Sequence, residues 1–487
     1  MCANRGATSR SEHTATLTYV STLAHFTAIS QSSSRQDGAE ASADLVCGKA
    51  RRLIQTWNCQ VIWLIKFAPG LKMDEFVATA ASLLLCAVSY YNYQFIKCTK
   101  KRKRKSRRRR WWMTSIHRNR SNACMEKQLG ELVAEPSGEF KKFTRMSVMD
   151  FEYLLNKISS QISKQDTHLR KSIPARIRLA VTLRYLATGD DYQSLHFLFK
   201  ISPQLISEII PEVCMALNEA LKDEIKLPSC PEEWLEISKG YSLKFPRAIG
   251  ALDGKHVALQ CPINSASEYF NYKRTFSIVL LALVDSQCNF TFADIGCQGR
   301  ISDGGVFRNC MLWEKICDNQ LNLPPPHPLP GLNKHVPYVF LADAAFALSE
   351  NVMKPYPGNL ERGNPRRIFN QRLSSARVTV ENAFGILVTK FRVFKKPIQL
   401  QPEKASIVTL TCILLHNYLR RSRTSSHIYT PPGSIDQYDR NDVLIQPGSW
   451  RNETDTTCAV RNMRQIPRRS PLNATQIRDE FTTYCIR

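Results

Sequence analysis

The hydrophobic pattern changes period near Phe245, and that change limits the fold more than any other feature of the 487-residue chain. Upstream, apolar residues recur at helical spacing. Downstream come short apolar runs at Phe245 to Val257, Ser277 to Val284, Phe290 to Ile295 and Val336 to Ala342. Separated by turn residues such as Asp285 and Ser286, they read as strands. Asp303 opens a helix that continues to Ile316. Ser374 to Phe391 puts Ala376, Val380, Phe384, Leu387, Val388 and Phe391 on one helical face. Lys404 to Leu419 is a further helix. The order strand–strand–strand–helix–strand–helix predicts an α/β fold, a mixed sheet flanked by helices. In such a sheet the first strand is central and the fourth lies beside it.

The stretch from Phe140 to Leu221 is expected to be all-α. Phe143, Met146, Met149, Phe151, Leu154, Leu155 and Ile158 recur at helical spacing. Residues 176–189 read as an amphipathic helix that stops at Gly189. Tyr192 to Phe199 fits a short helix. Ser202 and Pro203 then supply an N-cap and a first helical residue for a run to about Leu217. Short helices joined by a tight glycine turn resemble a helix-turn-helix, a pattern shared with small bundles that only pack. The expected organisation is a poorly organised extension over 1–72, an uncharged helix and basic segment over 73–120, and a helix-turn-helix-like domain over 140–225. An α/β domain follows over 245–420, then a mostly disordered tail over 421–487 with a short helix at Ala474 to Tyr484. Met73 is a candidate start of the functional frame.

Lys and Arg number 67 against 42 Asp and Glu, a net charge of +25. That balance favours polyanions, nucleic acid above all. Its densest block is Lys97 to Arg110, and Trp111 and Trp112 follow directly. The block suits nuclear import, and Arg107, Arg108, Arg109 and Arg110 suit a clamp on the DNA backbone; a solvated linker is the plain alternative. Just before it, Val77 to Ile96 holds no charged residue and is long enough to cross a bilayer. Its second half carries Ser, Asn, Gln and three Tyr, which weighs against a membrane span and for a buried or partner-binding helix. The 16 cysteines form no Cys-x-x-Cys pair, which argues against a zinc ribbon or finger.

Three acids stand in unlike settings. Asp253 and Asp343 end apolar, strand-like runs, and Glu381 lies inside the helix-like run. An Asp after a strand is most often a turn former, and Glu381 alone reads as a helix-surface charge. Together they read differently. Carboxylates at the ends of buried strands are costly unless something positive pairs with them. A divalent cation, Mg²⁺ or Mn²⁺, answers that cost and keeps open positions for water and phosphate. Two such ions held by three acids activate a water and stabilise a leaving oxygen in phosphodiester cleavage. Lys255, Lys273 and Arg377 are phosphate neighbours on charge grounds. Asp303 is either an additional ligand or the cap of its own helix.

The chain from about Met73 onward resembles the PIF/Harbinger transposases and the Harbinger transposase-derived nucleases. The matching stretches are Arg107 to Trp112, Phe143 to Ser147, Arg178 to Gly189, Gly250 to Val257, Tyr269 to Lys273, Gly299 to Gly305, Phe340 to Phe346, Phe369 to Arg377 with Val380 to Gly385, and Leu415 to Asn417. The resemblance implies a DDE endonuclease domain with an RNase H-like core. It maps the catalytic and metal-holding triad onto Asp253, Asp343 and Glu381. It also implies DNA as substrate, a nuclear location and a Myb-like partner protein; a homo-oligomer is compatible with it. Two departures stand out: Ala344 and Ala345 follow the second aspartate, and Ser375 stands where Arg is common. The competing reading is a domesticated nuclear factor that binds DNA or protein without cutting.

Overall fold

The computed structural model describes residues 85–90, 93, 122–168, 170–263, 265, 267–439, 444–453, 460–462 and 470–486. The chain divides into two units, Met1–Arg110 and Trp111–Arg487. In the first, residues 85–90 are helical and exposed. The basic block, with Arg107, Arg108, Arg109 and Arg110, and the extension over 1–72 lie outside the described residues. Among the described residues no helix is long and apolar enough to cross a membrane.

The second unit opens with helices α1 (Asn122–Ala134), α2 (Glu139–Thr144), α3 (Val148–Ile162), α4 (Ala175–Thr188), α5 (Tyr192–Phe199), α6 (Pro203–Ala220) and α7 (Pro231–Tyr241). Their boundaries follow local chemistry. The Ser147 hydroxyl accepts from the Asp150 amide at 3.1 Å and caps α3. Ser202 caps α6, with Pro203 in its first turn. Gly189 closes α4 at φ 68°, and a Cβ there would come within 2.8 Å of the Arg392 carbonyl, so the stop is both conformational and steric.

The sheet is built from β1 (Ala248–Leu259), β2 (Phe276–Val284) and β3 (Phe290–Gln298), which form an antiparallel meander, followed by helices α8 (Asp303–Arg308) and α9 (Met311–Cys317). A small hairpin, β4 (His327–Pro328) with β5 (His335–Val336), leads to β6 (Val339–Leu341) and β7 (Val352–Met353). The strand order is β3-β2-β1-β6-β7, with β6 parallel to β1 and β7 parallel to β6. The first strand is therefore central, and the run that ends at Asp343 is its neighbour. Helices α10 (Pro365–Lys390), α11 (Pro402–Arg421) and α12 (Ser426–Tyr429) follow. A second hairpin, β8 (Gln437–Tyr438) with β9 (Leu444–Gln446), comes next, then β10 (Val460–Asn462) and α13 (Leu472–Ile486).

Alternation along β1 sends its side chains into two cores. Ala251, Val257 and Leu259 join Val380, Phe384 and Leu387 of α10, Val408, Cys412 and Leu415 of α11, and buried residues of α3 to α6. Leu252 points the other way, onto Trp234 of α7, Phe307 of α8 and Leu312 of α9, and Ile249 joins it because the register shifts between Ala248 and Gly250. The N-terminal helices thus share one continuous core with the sheet. Helix α6 is buried along Ile206, Ile209, Ile210, Val213 and Leu217. Its exposed positions are Gln204, Glu208, Met215 and Glu219, and it holds no Lys or Arg, so α6 is a packing helix whose outer face repels phosphate.

Three expectations need correction. The helix expected from Asp303 to Ile316 is two helices that break at Asn309 and Cys310. Helix α10 starts nine residues before Ser374, at Pro365, where the Asn364 side chain accepts from the Arg366 amide at 2.9 Å. The described parts of the C-terminal region are folded, not a disordered tail. Ala474, Phe481 and Cys485 of α13 are buried with Phe245 and Phe369, and β10 pairs antiparallel with Lys255, His256 and Val257. Burial of those few apolar residues on another element's surface supplies what a polar segment lacks in its own sequence.

Candidate active site

Asp253 and Asp343 are brought together by strand register. Ala251 on β1 is level with Leu341 on the parallel strand β6. Each aspartate lies two residues further on, so period-2 alternation puts both side chains on the same face. That face is the one covered by α10. Asp253 is buried, and its Oδ2 receives the Lys255 ammonium at 2.9 Å. Its Oδ1 lies 3.6 Å from the Arg377 guanidinium. Arg377 Nε is buried without a hydrogen-bond partner. The Lys255 ammonium also stands 5.5 Å from the centre of the Phe384 ring, so it is held between β1 and α10.

Asp343 sits just past the end of β6, half-buried, in a turn that it stabilises itself: its Oδ1 accepts from the Ala345 amide at 2.9 Å. Burial raises its carboxyl above the ordinary range, and the like charge of Asp253 adds to the rise; Arg377, the Ala345 amide and Lys255 oppose it. Lys354, which sequence reasoning missed, fastens the same turn. Its buried ammonium donates to the carbonyls of Phe346 at 3.0 Å and Ala344 at 3.3 Å. Its only advance signal was a lysine directly after a short apolar strand.

Glu381 is half-buried on α10, one turn after Arg377 and one before Phe384. Residues spaced 377, 381 and 384 share a helix face, so Glu381 belongs to the face that meets β1. Its charge reaches Tyr438 and Arg451 of the C-terminal segment as a minor contribution. Among the described residues no three His, Cys, Asp or Glu side chains lie close enough to hold a metal ion. The structure thus joins Asp253 and Asp343 with Lys255 and Arg377, and it sets Glu381 on the same face without closing a three-acid cluster.

Lys273 lies elsewhere, in the loop between β1 and β2. Its ammonium is 5.5 Å from the Tyr272 ring, and it stands near His256. His256 is buried and shares a 2.9 Å hydrogen bond with Ser277; burial, then the Lys273 charge, lowers its pKa to about 4. Asp303 begins α8, on the side of the sheet opposite α10.

The Leu415 to Asn417 stretch proves to be architecture. His416 Nε2 is 2.9 Å from the Cys288 carbonyl and must donate to it. Nδ1 then accepts from the Tyr429 hydroxyl at 3.0 Å. Burial lowers the His416 pKa to about 3, so the ring is neutral. The Asn417 amide accepts from the Phe290 amide at 2.9 Å and donates to the carbonyls of Phe290 at 2.7 Å and Glu224 at 2.8 Å.

Residues 252–417 match the family model described as DDE superfamily endonuclease. The span opens one residue before Asp253 and ends on Asn417. The Arabidopsis thaliana protein named antagonist of like heterochromatin protein 1 is 21% identical over 322 residues, covering 63% of this chain and 78% of that protein. HARBI1 of Homo sapiens, named as a candidate nuclease, is 23% identical over 271 residues, covering 54% of this chain and 72% of that protein. No solved structure matches the chain. The matched span begins and ends on the elements that carry the acidic pair and the buried His–Asn corner, so residues 252–417 are similar to a DDE superfamily endonuclease domain and the chain is similar to both of these relatives.

Proposed function

We propose that this chain is a metal-dependent DNA endonuclease of transposase descent, with an RNase H-like core and Asp253, Asp343 and Glu381 as its acidic triad. One observation carries the reading: two carboxylates from neighbouring parallel strands lie in step on one face, close enough for Asp253 to raise the carboxyl of Asp343. Like charges held together on one face of a sheet are unfavourable for folding and favourable for capturing a cation. The donor set fits a hard divalent ion, Mg²⁺ or Mn²⁺: carboxylate oxygens predominate, and no thiol or imidazole is known to join them. Such an ion supplies Lewis acidity toward a phosphodiester and lowers the pKa of a bound water.

The chain's own residues supply the rest. Asp253 and Asp343 provide oxygen ligands, and Glu381 approaches from α10 as the third. Lys255 and Arg377 already border Asp253, so a phosphate drawn to the cation meets two positive groups, and the Arg377 Nε–H, buried without an acceptor, is a donor in reserve. Lys273 and Arg107 to Arg110 extend the contact to the DNA backbone, and the basic block directs nuclear entry, alone or with a Myb-like partner.

The test is cleavage of a supercoiled plasmid carrying Harbinger-type terminal inverted repeats. Wild-type chain nicks it in Mg²⁺ or Mn²⁺ and not in chelator. Asp253→Asn lowers the rate about 10³-fold or more while DNA affinity stays within about twofold, because affinity rests on Lys and Arg contacts. A wild-type protein that binds the repeats and never cuts them establishes the second reading, a non-cleaving nuclear factor. The open arrangement of Glu381 relative to the acidic pair is the observation in its favour.

A further inference from the structure

A segment of the C-terminal region lies across α10 where that helix carries Glu381. The Trp450 indole N–H donates to the Asn382 side-chain oxygen at 2.7 Å, and the Asp436 amide reaches the same oxygen at 3.3 Å. The segment is closed on itself. Asp436 accepts from Arg451 Nε at 2.8 Å, from Arg451 Nη2 at 2.6 Å and from the Gly448 amide at 2.7 Å, and the Ser449 amide donates to the Gly433 carbonyl at 2.9 Å. The Arg451 guanidinium stacks 4.5 Å over the Trp450 ring. The ring sits against Gly385, where any Cβ would collide with it. Glycine in the interior of a helix is unfavourable, so its presence one turn after Glu381 answers to the indole.

We propose that the clasp formed by Asp436, Trp450 and Arg451 is the positioning element for Glu381. The inference rests on the endonuclease reading of the preceding subsection. The indole keyed into Gly385 and bonded to Asn382 fixes the rotation of α10 about its axis, and Glu381 lies next to Asn382 and four residues before Gly385. The Arg451 guanidinium, anchored by the buried Asp436 carboxylate, holds the clasp closed against the stretch of α10 that carries Glu381. A polar segment outside the family-matched span 252–417 therefore completes the site. Trp450 and Arg451 are positioning residues: they act through Glu381.

Gly385→Ala tests the clasp. Alanine favours the helix, so α10 stays folded while its methyl group displaces the indole. Mn²⁺ binding to the full chain without DNA is read by electron paramagnetic resonance, and cleavage kinetics are read in parallel. Gly385→Ala is expected to weaken Mn²⁺ binding at least about tenfold and to lower kcat by a similar factor, with KM for DNA and the melting temperature little changed. Trp450→Ala is expected to act in the same direction, and Trp450→Phe, which keeps a ring in the slot, to recover most of the binding. Unchanged Mn²⁺ affinity and kcat in Gly385→Ala would overturn the proposal. So would a loss of both that tracks a fall in melting temperature across all three variants, since the clasp would then be structural only. If wild-type chain binds no Mn²⁺ and cuts no DNA, the endonuclease reading has failed. Hydrogen exchange of α10 then decides the clasp separately: faster exchange near Glu381 in Gly385→Ala supports it, and unchanged exchange overturns it.

Discussion

The acidic pair and the His416–Asn417 corner are two polar centres within residues 252–417, and they are built on opposite principles. At the corner every buried polar atom named above has a partner of the right kind: two hydrogen bonds hold the imidazole and three hold the Asn417 amide. At the acidic pair, a half-buried carboxylate has a second carboxylate as a neighbour, and a buried guanidinium nitrogen has no acceptor. Satisfied networks rigidify a core, whereas unsatisfied ones mark where something else must bind. Both centres fall in motifs that the sequence alone singles out, so a motif by itself does not say which kind it is.

Acid separates them most strongly. Imidazoles held neutral in the folded chain, His416 with a pKa lowered to about 3 and His256 with one lowered to about 4, take up protons on unfolding below about pH 6.5. The unfolded state then binds more protons, so stability is full above pH 6.5 and falls as the pH drops toward the folded values. Each imidazole contributes a slope of about 1.4 kcal/mol per pH unit inside that window. Urea midpoints measured from pH 7 to pH 5 should therefore fall, and His416→Gln should remove about half of the slope. An unchanged slope in that variant would show that the corner does not carry the acid sensitivity.

Asn417→Ala measures the same corner at fixed pH. It strips the Asn417 partner from the Phe290 amide and carbonyl, at about 1–3 kcal/mol for each buried group left unpaired, and leaves the Glu224 carbonyl to the Arg421 guanidinium. The expected total is about 3 kcal/mol, seen as a lower midpoint with Mn²⁺ affinity unchanged in the folded protein. A variant that lost metal affinity at full stability would move Asn417 from the structural centre to the functional one.

Much of this contrast was legible in the sequence. Asp253 and Asp343 stood out because each ends an apolar run, and strand register then did what the run lengths implied. Lys255 and Arg377 stood out by charge beside them. Lys354 did not, because it lies eleven residues from Asp343 and reaches the turn through the backbone carbonyls of Ala344 and Phe346. The start of α10 was missed although Asn364 and Pro365 give the same cap-and-proline signal as Ser202 and Pro203: the first turn of α10 faces solvent with Arg366 and Arg367, and its buried residues begin only at Phe369. Trp450 and Phe481 stand among polar neighbours. Each docks on a surface built by another element, a relation that no periodicity within its own segment can carry.

Asp343→Asn gives the smallest change in stability and the sharpest test of the comparison. The carboxyl of Asp343 is raised in the folded chain, so its ionised form is net unfavourable there despite Arg377 and Lys255. Asparagine keeps the oxygen that accepts from the Ala345 amide and removes the charge. At pH 7 the variant should be more stable than wild type by about 0.5–1 kcal/mol, the usual scale for one stabilising exchange, and should lose metal-dependent cleavage. A residue kept at a cost to stability is the mark of a functional site, and a satisfied polar residue never shows that sign. Calorimetry at pH 7 on wild type and Asp343→Asn decides it: a lower melting temperature in the variant would place Asp343 with His416 and Asn417 as part of the frame.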